Sequence, residues 1–564
     1  MRNRMSVLLL AVAFAAVACS DATEPNLDPA CGAKLSLQRG EIRQLSDPSA
    51  ISCVAIAGSQ TASEYLIITA NASREQDDMH SYIVRTLDGT ATTDRIPIEP
   101  SWSRMATTAD TIREGLESHV REAERRVIGN RSLAALTARS HRSASAQQSV
   151  DVPRVGDTLS LHVPDASTQN LCTNYNDVRA VVKAIGTTAM VALDIDAPLR
   201  GFSDADYQSI ATEFDSLILP TDTQWFGAPT DINGDGHITI LYTPRINRLT
   251  PTGSLGFVGG FFFSSDLLPR SNPAQNWTCP SSNEEEIFYL LAPDPDGTVN
   301  GNRFSLETTR EATRGTTAHE LQHMINQGIR QTSTQSDRLE VDWLNEGLSH
   351  FAEELVGRAS RGYADNRRLT WNDVLFELDD FDSFFRQNLL RLRLWLDRPD
   401  LWSPTSGSAL TQLAPRGAAW ALLRYSTDQY GGTDPRAFVR SLTAGPEIDI
   451  ANLEAKTHAS FADVVAGFLV ASFADSTISA MSPRYSFASW SMRDVMTNLN
   501  GGDFPLRTRH LPSADIVTSS PSGSGNFFVL SMAAGAPTTR LRVLSPAGGP
   551  VDFTGARVYL ARLR

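Results

Sequence analysis

Lysine is nearly missing from this 564-residue chain. Lys34, Lys183 and Lys456 are the only three, and arginine carries the rest of the positive charge. So few lysines make Schiff-base or lysine-base chemistry a poor expectation. An excess of positive charge is missing too. The formal net charge is -14 at pH 7, which argues against a nucleic-acid partner and against a polybasic membrane-binding surface. Long apolar runs are confined to the start of the chain. There Arg2 and Arg4 precede an apolar stretch from Ser6 to Ala18, too short to span a bilayer but of the right length for a signal-peptide core. No fixed-period repeat is present, so solenoid and propeller architectures are not expected.

Cysteine is scarce as well, with five in all. The apolar run ends in Ala16-Val17-Ala18-Cys19-Ser20, which resembles a bacterial lipoprotein cleavage site with Cys19 as the acylated residue. Residues 1–19 are therefore expected to be a lipoprotein-type leader, and the protein to be exported to the cell surface or outer membrane, otherwise secreted. Membrane association would come only through lipid on Cys19. The other four cysteines form an even set suited to an oxidising compartment. Cys31 and Cys53 fall in one segment and Cys172 and Cys279 in the next, which predicts Cys31–Cys53 and Cys172–Cys279 disulfides.

The pattern along the chain predicts an α+β protein. Residues 20–30 read as a polar tether. Short β-rich runs over 31–106 read as a small N-terminal β-sandwich-like domain. Residues 107–154 read as a charged amphipathic helix followed by a Ser/Ala/Gln linker, and 31–150 together as either an inhibitory pro-region or a spacer. A larger unit is expected over 155–500, β-rich over 155–305 and mainly helical over 306–500. Alternation returns over 513–564, read as a separate C-terminal β domain.

The most informative stretch is Ala318-His319-Glu320-Leu321-Gln322-His323. On a helix, histidines at i and i+4 leave the same face one turn apart and can grip one metal ion. Glu320 then lies beside the water that such a metal holds, the place of a general base. With only ten histidines in the chain, a chance match is improbable. Two imidazoles need a third ligand. The three-histidine version fails, because Asn326 and Ile329 stand where its glycine and histidine belong. Val341-Asp342-Trp343-Leu344-Asn345-Glu346-Gly347 supplies a glutamate, Glu346, on a helix that can fold back antiparallel. Two turns on, Glu353 is placed to accept the other ring N–H of a ligating histidine.

Together these segments resemble the gluzincin clan of zinc metallopeptidases, with its thermolysin-like catalytic fold. Ala318–Asn326 and Trp343–Leu355 look most like the hyicolysin-type peptidases, a likeness extending over about 155–480. The resemblance implies zinc held by His319, His323 and Glu346, with Glu320 as the base in peptide-bond hydrolysis. Two features depart from the aminopeptidase relatives. The Gly-x-Met-Glu-Asn segment that receives a substrate amino terminus is missing, and Ala414-Pro415-Arg416-Gly417 puts alanine where those relatives carry a catalytic tyrosine. An endopeptidase is therefore expected ahead of an aminopeptidase or a non-catalytic surface lipoprotein. His350, Tyr363 and Tyr425 are the candidates for meeting the oxyanion.

Two further expectations follow. In that clan an extended substrate pairs with an edge strand beside the zinc helix; the resemblance makes Gly256–Ser264 a candidate for it, a buried core strand being the other reading. Asp231, Asn233 and Asp235, with Gly236 after them, match the first half of a calcium-binding loop, although Tyr242 replaces its closing glutamate. Protein or peptide substrates, no nucleic acid and a monomeric chain complete the picture.

Overall fold

The computed structural model describes residues 27–28, 31–86, 101–129, 131–137, 152–254, 256–332, 338–407, 412–511 and 515–564. The leader and Cys19 lie outside the described residues. Both expected disulfides, Cys31–Cys53 and Cys172–Cys279, are formed.

The central unit is α+β. Its six-stranded sheet runs in the order Gly260–Phe262, Ile287–Leu291, Ile238–Thr243, Ala189–Asp194, Tyr175–Ile185, Thr158–Pro164. Ile238–Thr243 is parallel to both neighbours and the remaining pairs are antiparallel. Val191, Ile240 and Phe288 point to one face, into the large core shared with the helices, while Ala180, Leu241 and Tyr289 point to the other. Burial on both faces explains why the central strands read as continuous apolar runs.

The helical half begins with Leu306–Thr332 and Asp342–Ser360, then continues through Arg386–Asp397, Leu413–Tyr430, Pro435–Ala444, Asp449–Thr457 and Phe461–Ala474. Two glycines permit close helix packing. A Cβ on Gly347 would lie 2.8 Å from Leu423 Cδ1, and one on Gly417 would lie 2.2 Å from the backbone nitrogen of Leu392. Leu413–Tyr430 is thereby drawn against both Asp342–Ser360 and Arg386–Asp397.

The two ends of the chain do not form two separate β domains. Their strands share sheets. One sheet runs Leu27–Asp28, Gly32–Leu35, Val54–Ile56, Thr539–Leu544, Met79–Thr86, Ile516–Pro521; the other runs Thr508–Leu511, Ser524–Met532, Ser63–Asn71, Ala556–Arg562, Ile42–Leu45. Ser63–Asn71 sits between two C-terminal strands, in register with Met532–Ser524 on one side and Arg562–Ala556 on the other. Its alternation is used twice: Tyr65 and Ile67 enter the core between the two sheets, and Leu66, Ile68 and Ala70 enter the core of the helical half. Only a few pairings stay within one end, such as Gly32–Leu35 with Val54–Ile56 and Thr508–Leu511 with Ser524–Met532. The longer strands find partners across the ends, so local alternation identified the strands but not their pairing.

The segment expected as one helix over 107–138 is a long helix, Ser101–Ile128, and a short one, Leu133–Thr137. It is not a solvated spacer. Glu117, Val120, Arg121, Ala123, Glu124 and Ile128 are all buried.

Candidate metal centre and its closing helix

Leu306–Thr332 starts where the Ser305 hydroxyl accepts the Thr308 backbone N–H at 3.0 Å, a cap that satisfies one of the free donors of a first turn. From Thr316 to Gly328 every residue is buried, so both histidines leave the helix inside the protein. Asp342–Ser360 folds back against it. Arg330 donates to Glu340 at 2.7 Å, and Glu340 accepts from the N–H groups of Val341 and Asp449, which fixes the return. Asn326 donates to Asn345 at 2.9 Å and Ser349 to Gln322 at 2.7 Å, locking the register of the two helices.

That register brings His319, His323 and Glu346 together. His319 Nε2 lies 3.2 Å from His323 Nε2 and 3.4 Å from Glu346 Oε2, and His323 Nε2 lies 3.6 Å from Glu346 Oε1. All three residues are buried, and one donor atom from each falls within 4.8 Å of the others. Glu346 Oε1 is buried without a hydrogen-bond partner. Two imidazoles facing a carboxylate oxygen that has no donor of its own form a donor set suited to a divalent metal ion. Glu353 accepts His319 Nδ1–H at 2.8 Å, leaving Nε2 to face the set. On the other histidine, Nδ1 lies 3.1 Å from the Ser349 hydroxyl.

The charges around this set are strongly coupled. Burial keeps His323 well below the usual imidazole range, helped by Arg121, so it stays neutral and able to ligate. For His319 burial works the same way but is outweighed by Glu117, Glu346 and Glu353, which raise it to about 10; a bound metal would displace that proton. Burial opposes ionisation of Glu346, yet Arg416 and the histidines hold it well below the carboxylate range. Burial pushes Glu320 up to about 7, against the pull of His319 and Arg121. Glu320 Oε1 is buried without a hydrogen-bond partner, while Oε2 accepts the Phe262 N–H at 3.0 Å.

The helix Ser101–Ile128 closes the site. Arg121 Nη2 donates to Glu320 Oε2 at 3.2 Å, and its Nη1 is held by both oxygens of Glu124 at 3.0 and 2.8 Å. Glu117 Oε2 lies 4.0 Å from His319 Nε2 and accepts from Arg416 Nη1 at 2.5 Å; the same nitrogen donates to Glu346 Oε2 at 2.7 Å. Glu124 also accepts the Ser264 N–H at 2.7 Å. The space left beside His323, between Arg121, Phe262, Ser264 and Asn345, is about 30 Å³, room for roughly one water. A far larger cleft, about 1170 Å³, lies elsewhere, lined by Glu213, Arg310, Arg314, Tyr363 and Glu377, and holds none of the donor set.

Other expected residues are placed differently. The edge strand is real but short, Gly260–Phe262, antiparallel to Ile287–Leu291. Of the proposed oxyanion groups, the two tyrosines face elsewhere, and the His350 ring lies 4.8 Å from the His319 ring, centroid to centroid, with its Nε2 unpartnered. His350 Nδ1 lies 3.2 Å from Glu353 and 3.3 Å from Arg391, behind His319. Tyr363 donates to the carbonyl of Asp373 and Tyr425 to that of Arg484. In the loop expected for calcium, Asp231 Oδ1 accepts the N–H groups of Gly234 and Gly236, Asn233 that of Asp235, and Asp235 that of His237. No third carboxylate joins Asp231 and Asp235 in a converging set among the described residues, and Tyr242 is a buried phenol bonded to Thr313. Sequence reading missed Glu117, Arg121, Ser349 and Arg416. Only Ser349 carried a local signal, one turn after Glu346; the others reach the site from distant parts of the chain.

A stretch of 154 residues is 30% identical to the neutral metalloprotease ShpI of Staphylococcus hyicus. It covers 27% of this chain and 31% of that protein, so the likeness supports a metallopeptidase without extending to the whole molecule. No family model matches the chain.

Proposed function

We propose that the chain is an exported zinc-dependent endopeptidase, held closed by its own helix Ser101–Ile128. The observation that carries the reading is the convergence of His319, His323 and Glu346 beside Glu320, whose inner oxygen has no other partner. Zinc is the metal best suited to two imidazoles and one carboxylate, and when bound it supplies Lewis-acid polarisation of a carbonyl and of water. Glu320 takes the proton of the attacking water and passes it to the leaving amine. Phe262, at the end of the edge strand, and Ser264, two residues beyond it, direct their N–H groups toward Glu320 and Glu124, where an extended peptide could pair instead. His319 keeps the tautomer that ligation needs because Glu353 holds its Nδ1–H.

The closing helix fills that route, so Arg121 neutralises the base and Glu117 and Glu124 take the positions open to substrate. The two disulfides suit an oxidising compartment; lipid on Cys19 would hold the protein at a membrane. Protein or peptide is the substrate class, and a monomer the expected state.

The test is metal analysis with casein digestion, run on a Glu117→Ala/Arg121→Ala variant. Expected are one zinc per chain and internal cleavage that a chelator stops and Glu320→Gln abolishes. A zinc-free protein, or full hydrolysis by the Glu320→Gln form, would sink the reading. Release of single amino-terminal residues would mark an aminopeptidase, and zinc without any cleavage a binding protein.

A further inference from the structure

We infer that Arg416 is the catalytic residue that meets the oxyanion, a role deduced from what the closing helix puts in its place. The inference rests on the peptidase reading and adds a residue to it. An oxyanion partner must be a donor aimed beside the metal ligands and Glu320, with its proton fixed in place before reaction. The tyrosines that sequence suggested donate to backbone carbonyls elsewhere. His350 turns its Nδ1 to Glu353 behind His319, on the side of that ring away from its Nε2, and makes no hydrogen bond or ion pair with Glu320 or Glu346 among the described residues.

Arg416 satisfies the requirement by position. It is the fourth residue of Leu413–Tyr430 and 2% exposed. Gly417 beside it packs against the backbone of Arg391 and Leu392 so closely that any Cβ would collide, which fixes the turn carrying the guanidinium. Its Nη1 has two acceptors. One is Glu346 Oε2 at 2.7 Å, which ties it to the donor set; the other is Glu117 Oε2 at 2.5 Å. That Glu117 oxygen also lies 4.0 Å from His319 Nε2, and the donor atoms of Glu117, His319 and Glu320 fall within 4.8 Å of one another. An anionic oxygen between base, metal ligand and guanidinium occupies the position where a peptide carbonyl oxygen gains charge. When the helix leaves, Glu117 leaves with it and the arginine keeps its anchor on Glu346.

In the reaction, water oxygen adds to the carbonyl carbon and its proton goes to Glu320. The electron pair of the C=O bond moves to the carbonyl oxygen, which accepts the Arg416 N–H. As the C–N bond breaks, the proton on Glu320 passes to the amine nitrogen. Arg416 keeps its own protons throughout, as a guanidinium does.

The test compares Arg416→Gln and Arg416→Lys in the Glu117→Ala/Arg121→Ala chain. Read out are zinc content, kcat and KM on a peptide, and the Kd of a phosphinic peptide, whose tetrahedral anion mimics the intermediate. Expected for Arg416→Gln is full zinc, KM within a fewfold, and kcat and phosphinic affinity both lower by about 100-fold or more, with partial recovery in Arg416→Lys. Loss of zinc in both variants would make Arg416 a support for Glu346 and overturn the assignment, as would unchanged kcat and phosphinic affinity. A parent chain that hydrolyses nothing overturns the peptidase reading itself, and the role of Arg416 with it.

Discussion

His319 has both ring nitrogens committed: Nδ1 to Glu353 at 2.8 Å, Nε2 toward His323 and Glu346. The Glu353 carboxylate chooses the tautomer and makes the ring a better donor. Glu353→Gln keeps an oxygen for the Nδ1–H but removes its charge, and should weaken zinc about tenfold or more. Competition against a chromophoric chelator measures this directly; unchanged affinity would leave Glu353 a packing residue. This network was legible in sequence because helical periodicity alone sets it. His319, His323, Glu346 and Glu353 lie on two helices, and spacings of four and seven residues name their faces. Arg121 and Arg416 were illegible for the converse reason. They meet Glu320 across 199 residues and Glu346 across 70, and no local pattern records such a meeting.

At the scale of the element, the helix Ser101–Ile128 buries an acidic and basic surface over the candidate metal centre. Its amphipathic pattern predicted a helix, and the structure supplies one. What the pattern did not show is that the charged face, Glu117, Arg121 and Glu124, turns inward. Charges are buried at little net cost only when paired, and here the partners are Glu320, Arg416 and the Ser264 backbone N–H just past the edge strand. Removing Glu117 and Arg121 together takes the grip from the helix while leaving the donor set intact. The Glu117→Ala/Arg121→Ala chain should cleave a peptide at least about tenfold faster than the unaltered chain, a gain corresponding to roughly 1.4 kcal/mol of lost closure. Equal rates in a stopped assay would mean that the helix does not gate the site.

The whole molecule carries a second set of buried acids outside the metal donor set, although Asp222 still feels His319 and Asp266 feels Glu124. Burial pushes Asp266 up to about 7, Glu285 to about 8 and Glu286 to about 7, and it raises Asp222 well above the carboxylate range. Each stays protonated in the fold at pH values where the unfolded chain would ionise it. Stability from these groups is therefore complete below about pH 4 and is lost as pH rises through 7 and 8. Between pH 6 and 9, with zinc in excess, the melting temperature should fall by several degrees, and Glu285→Gln should flatten the slope. A melting temperature that is constant or rises over that range would contradict the assignment.

Sequence alternation found the strands of both chain ends but not that they belong to one β unit, because register between residues more than 400 apart leaves no local trace. That shared unit has a consequence for how the proposed activity could be switched on. Ser63–Asn71 stays clamped between Ser524–Met532 and Ala556–Arg562 whatever happens to the covalent chain downstream. A single cut on the C-terminal side of the closing helix would leave it covalently attached to that unit, so its return to the site would stay intramolecular and activity would not respond to dilution. A second cut on its N-terminal side would turn the helix into a free peptide, and the gain in rate would then grow as the protein is diluted. In both cases the two ends would still migrate as one particle. Activation would be invisible to size and visible only in the concentration dependence of the rate.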